Sequence, residues 1–83
     1  MQVSIDISLY PLDANFSNLV LDFIDRISSV EGVTVVRNTL STQIFGELNL
    51  MMQLLTQEMA VSFEQLPHSI FVLKIIGNDR RPA

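Results

Sequence analysis

Hydrophobic and polar residues alternate strictly at the start of the chain, with Val3, Ile5, Ile7 and Leu9 in one phase and Gln2, Ser4, Asp6, Ser8 and Tyr10 in the other. A period of two predicts a strand over about 2–10 with one face on a core. Pro11 has no amide to donate and closes it. The period then changes. Phe16, Leu19, Val20, Phe23, Ile24, Ile27 and Val30 recur every three or four residues, which predicts an amphipathic helix over about 14–30. Asp13 or Asn15 is placed to cap it, and Gly32 to end it in a left-handed turn. Asp22 and Arg26 stand at i and i+4 on its outer face and predict a surface ion pair. The β-branched run Val33–Arg37 and the segment 41–47 predict two short strands joined by a tight reversal at Asn38-Thr39-Leu40. Gly46 in the second of these predicts a bulge or a close approach by something else, or else a plain strand end feeding a helix.

The next periodic segment, about 48–65, predicts a helix with an unusually wide apolar arc. Leu48, Met52, Leu55, Met59 and Phe63 form the expected core stripe, and Leu50, Leu54 and Val61, flanked by Met51, form a surplus one. Glu58 and Ser62 lie between the two stripes. Pro67 ends the helix. Residues 69–76 are apolar in both phases except for Lys74, so a strand is expected here with both faces covered. One cover is the helices, and the other is a second subunit or a ligand. The polar tail, 77–83, is expected to fray at its end. The element order β-α-β-β-α-β predicts a single α+β domain over 1–83. Its form is a ferredoxin-like sandwich, a four-stranded antiparallel sheet in the order 4-1-3-2 with two helices on one face.

Composition sharpens the picture in three places. With 48% apolar and 17% charged residues in 83, a domain this small buries only about 60–65% of its unfolded surface and cannot hide all its apolar groups. A homo-oligomer, dimer or tetramer, is expected. The net charge of −4, with five scattered Lys/Arg, argues against nucleic acid. The sequence has no cysteine and no apolar run long enough to span a bilayer, which points to a cytoplasmic protein without membrane attachment.

Catalytic chemistry finds little support. His68 is the single histidine, which removes multi-histidine metal sites, and Ser62 or Ser69 beside it has no nucleophile motif around it. Asp6, Glu47 and Glu58 fall on different elements. The expectation is a protein without catalytic residues, bound metal or cofactor. What does need explaining is the pair of hydroxyls Ser41 and Thr42 in a central strand, since a buried hydroxyl without a partner costs about 1–3 kcal/mol.

Several short motifs resemble a known family. Ser8-Leu9-Tyr10-Pro11 at the end of the first strand, Leu40-Ser41-Thr42 with Gly46 four residues on, and Asp79-Arg80 near the end resemble the thiamine/hydroxymethylpyrimidine-binding family of the YkoF type. They also resemble the related small single-domain thiamine-binding proteins, in register from about Val3 to Arg81. YkoF-type members carry two such repeats and this chain one. Phe45 stands where single-repeat relatives often have a glutamate before the strand glycine, so the chain lies nearer the YkoF type. The resemblance implies non-catalytic binding of thiamine or its hydroxymethylpyrimidine moiety, for vitamin transport or buffering. A site is then expected where the first and third strands present Ser8, Tyr10, Ser41 and Thr42 near the second helix and Glu58. The hydroxyls would meet an aminopyrimidine, and Glu58 or Asp6 would face its amine or the thiazolium charge. The competing class is an oligomerising ACT-like regulatory domain sensing another small metabolite. An RNA-binding ferredoxin-like domain is disfavoured by the acidity.

Overall fold

A computed structural model describes residues 1–16 and 18–82; Ser17, Ala83 and the side chain of Phe16 lie outside the described residues. The chain runs through β1 (Gln2–Pro11), a 3₁₀ turn (Ala14–Phe16), α1 (Leu19–Ser28), β2 (Thr34–Arg37), β3 (Thr42–Glu47), α2 (Leu48–Gln65) and β4 (Ser69–Ile76). The helix expected from about residue 14 thus begins with a separate 3₁₀ turn, and its Ser17 position is outside the described residues. Asp13 Oδ1 accepts from the Asn15 amide at 2.9 Å, so it fastens that turn and does not cap α1.

The sheet is antiparallel in the order β2-β3-β1-β4, with both helices on one face, an α+β ferredoxin-like fold. Alternation in β1 puts Val3, Ile5 and Ile7 against the helices, where all three are buried. Opposite them in register stand Gly46, Ile44 and Thr42 of β3. Phe23, Ile24 and Ile27 of α1 and Met51, Leu54 and Leu55 of α2 complete the core. α1 ends at Ser28 with Ser29 as its right-handed cap, so Gly32, at φ +88°, does not end the helix as expected but sits in the turn between it and β2.

Packing departs from the sequence expectation in two places and adds to it in a third. First, the α2 face that is buried runs through Met51, Leu54, Leu55 and Ser62, while Phe63 is exposed. Leu54 and the flanking Met51 are therefore core, and Leu50 and Val61 are half-buried, because α2 leans over β3, an inner strand of the sheet. Gly46 permits that lean: a Cβ there would sit 2.8 Å from Met51 Sδ and 3.0 Å from the Gly32 carbonyl. Second, Arg26 reaches α2 and leaves Asp22 alone. Its Nε donates to Glu58 Oε1 at 2.6 Å, and its Nη2 to the Glu58 carbonyl at 3.1 Å and Ser62 Oγ at 3.0 Å. α2 offers three charge-assisted bonds, two from the half-buried Glu58 and one from Ser62, where an exposed i,i+4 carboxylate offers one. Third, the tail is tied down through Arg81. Ser4 Oγ donates to the Asn78 carbonyl at 2.8 Å and accepts from the Arg80 amide at 2.7 Å. Arg81 Nη1 donates to Thr34 Oγ1 at 3.0 Å, and its guanidinium lies 5.8 Å from the Phe45 ring centre. This strap covers Phe45 on the face turned away from the helices, leaving that ring only 2% exposed.

Candidate functional site

β1 outruns its neighbour. Its pairing with β3 ends at Ile7–Thr42, whereas its pairing with β4 continues to Pro11–Ser69. Residues 8–10 therefore have one edge without a strand partner, and their main-chain polar groups on that side stay open to a ligand. The notch so formed is closed by α1 on one side and by the β2–β3 turn on the other. It is a cleft of about 200 Å³.

Ser8, Tyr10, Ser41 and Thr42 all line it. The opposite phases of Ser8 and Thr42 do not separate them, because a notch at a strand end is reached from both faces of the sheet. Thr42 is 7% exposed; among the described residues no protein group bonds its hydroxyl or those of Ser8 and Tyr10, and all three stay open to the cleft, since no buried side-chain polar atom there lacks a partner. Ser41 is committed, its Oγ donating to Asp6 Oδ1 at 2.5 Å. The turn beneath is built by Asn38: its Oδ1 accepts from the amides of Leu40 and Ser41 at 3.1 and 3.0 Å, and its own amide donates to the Ser41 carbonyl at 3.1 Å. That side chain pre-sets the rim of the cleft.

Glu58 is not brought to this place. It lies between the helices, held by Arg26, and the helix beside the cleft is α1, not α2. Among the described residues the only charged side chain lining the cleft is Arg37, cross-strand partner of Thr42. Val20, Leu21, Phe23 and Ile24 form the apolar wall, with Leu40, 88% exposed, at the rim. Sequence reasoning passed over Arg37 and this wall. The signal for Arg37 was its place beside the turn; the wall was hidden because its residues also fit the helix stripe.

The other polar candidates have structural partners or stand apart. Glu47 Oε2 caps α2, accepting from the Leu50 amide at 3.1 Å. Ser69 Oγ donates to the Leu66 carbonyl at 2.9 Å, and His68 is exposed in the α2–β4 turn. Among the described residues no three metal-ligating side chains cluster, and no helix is long and apolar enough to cross a membrane.

No protein-family profile and no curated protein matches this chain. Solved structures do. A Streptococcus pneumoniae protein superposes with a TM-score of 0.85 at 22% identity, over 96% of this chain and 90% of that one. A Thermotoga maritima protein provisionally assigned to thiamine biosynthesis or salvage gives 0.82 at 19%, over 94% and 85%. A Bacillus cereus domain of unknown function, DUF77, gives 0.77 at 17%, over 100% and 82%. At these identities the likeness establishes the shared fold.

Proposed function

We propose that the protein binds the aminopyrimidine half of thiamine, or free hydroxymethylpyrimidine, in the notch beside β1, without transforming it. The observation that carries this is the set of unpartnered hydroxyls of Ser8, Tyr10 and Thr42 beside an open strand edge and an apolar wall. Such a ring has apolar faces and a rim of nitrogen acceptors and an amine donor, which hydroxyls and main-chain groups satisfy. Size supports the same choice. Ligand pockets for drug-sized molecules span about 300–1,000 Å³, and about 200 Å³ suits one ring.

Charge favours the pyrimidine over the thiazolium as the buried half. Among the described residues no carboxylate lines the cleft, and Arg37 at its rim repels a fixed cation while tolerating a phosphate tail. The thiamine biosynthesis or salvage role given to the Thermotoga protein adds support from outside the chain. Binding without turnover follows from where the reactive groups are spent: Glu58 on Arg26, Glu47 on a helix cap, Asp6 on Ser41. A dimer or tetramer, with no cofactor, is part of the same proposal. The test is a calorimetric titration with hydroxymethylpyrimidine, thiamine and thiamine pyrophosphate. Saturable binding of hydroxymethylpyrimidine, with thiamine no tighter, is expected. Heat from thiamine alone would place the thiazolium in the site and refute the proposal.

A further inference from the structure

A second cleft, of about 330 Å³, lies on the sheet face turned away from the helices. Strand register builds it. Gln43, Asp6 and Lys74 stand side by side across β3, β1 and β4, and Phe45, Ser4 and Ile76 form the next row. The strap then passes over that second row. Ser4 bonds both the Asn78 carbonyl and the Arg80 amide, and this brings Arg80 to the cleft wall. In a chain of net charge −4, two of the five basic side chains thus converge on one cavity.

Among the described residues neither Lys74 nor Arg80 has an ion-pair partner. The single carboxylate lining the cavity, Asp6, already accepts from Ser41 Oγ. Two cations and one carboxylate leave a surplus positive charge, with the Gln43 amide beside it as a neutral donor. Lys74 and Arg80 line the same cavity, and an anion held there gains charge-assisted bonds from both. We propose that this cleft is a binding site for a small anion, a phosphate or carboxylate group held by Lys74 and Arg80. It shares no lining residue with the pyrimidine notch. The Ser41–Asp6 hydrogen bond joins the two, since Ser41 lines the notch and Asp6 lines this cleft.

The test is a nuclear magnetic resonance titration of the whole chain with inorganic phosphate, and separately with acetate, at constant ionic strength made up with chloride. Saturable shifts are expected at the amides of Ser4, Gln43, Lys74 and Arg80. Tighter saturation by phosphate would assign a phosphoryl ligand, and by acetate a carboxylate. Lys74→Gln and Arg80→Gln should each weaken saturation about tenfold, whereas His68→Gln, in the exposed α2–β4 turn, should leave it unchanged. Both basic side chains are exposed, so these variants keep the fold. Linear, unsaturating shifts in the wild type would overturn the site, as would equal affinities in wild type and Lys74→Gln.

Discussion

Thr42 and Glu58 show how differently two polar residues near one core behave once their neighbours are known. Thr42 keeps its hydroxyl at the notch without a protein partner. Glu58 is consumed by Arg26, with the two side chains only 19% and 26% exposed. Removing one member of such a pair leaves the other's charge poorly satisfied, so Glu58→Ala should lower stability by about 1–3 kcal/mol. It should leave hydroxymethylpyrimidine affinity untouched. A Glu58→Ala protein that melts like wild type but loses the ligand would return Glu58 to the site. Gly46 belongs at this scale too. Since an added Cβ meets Met51 and a backbone carbonyl, Gly46→Ala should cost about 1–3 kcal/mol through overpacking, read as a lowered denaturant midpoint.

At the scale of elements, most of the fold was legible. Period-two and helical patterns located β1, α2 and β4 with little error, because alternation and Pro67 are local signals that the core only reinforces. The α2 orientation was not legible. Helical spacing assigns stripes, but which stripe is buried depends on where a neighbouring strand carries glycine. Leu54, read as surplus, is 6% exposed and packed in the core; Leu54→Asp should therefore unfold the protein, as circular dichroism would show. The notch was half legible: motif residues named its hydroxyls, while the unequal lengths of β1 and β3 that create it are a tertiary fact. The strap was missed, since a short polar tail carries no periodicity. Asp79 helps hold it. Hydrogen bonds from the Arg81 amide and then the Arg81 guanidinium keep its carboxyl below the ordinary aspartate range. A depressed pKa means that the strap's fastening is present above the free aspartate value and is lost as pH falls through the folded one. Following the Arg81 and Thr34 resonances against pH should give an inflection below that of a free aspartate. An inflection at the ordinary value would show that the Asp79–Arg81 bonds do not form in solution.

For the molecule as a whole, the sheet face away from the helices is divided in two. The strap and second cleft occupy one end. At the other, Ile70 and Val72 of β4 stand with Tyr10, each 45–52% exposed. Apolar side chains in a row on an edge strand favour association. Val72→Asp should shift sedimentation toward the 9.4 kDa monomer while the melting curve of the diluted protein stays in place; a wild type that sediments as a monomer at micromolar concentration would contradict this. The central claim is the pyrimidine notch, and the Thr42→Val substitution tests it most directly, because valine keeps shape and strand propensity and removes only the hydroxyl. Calorimetry with hydroxymethylpyrimidine should show a loss of about 1–3 kcal/mol, roughly tenfold to a hundredfold in affinity, with the ligand-free melting temperature unchanged. A Thr42→Val protein that binds hydroxymethylpyrimidine as tightly as wild type would contradict the account.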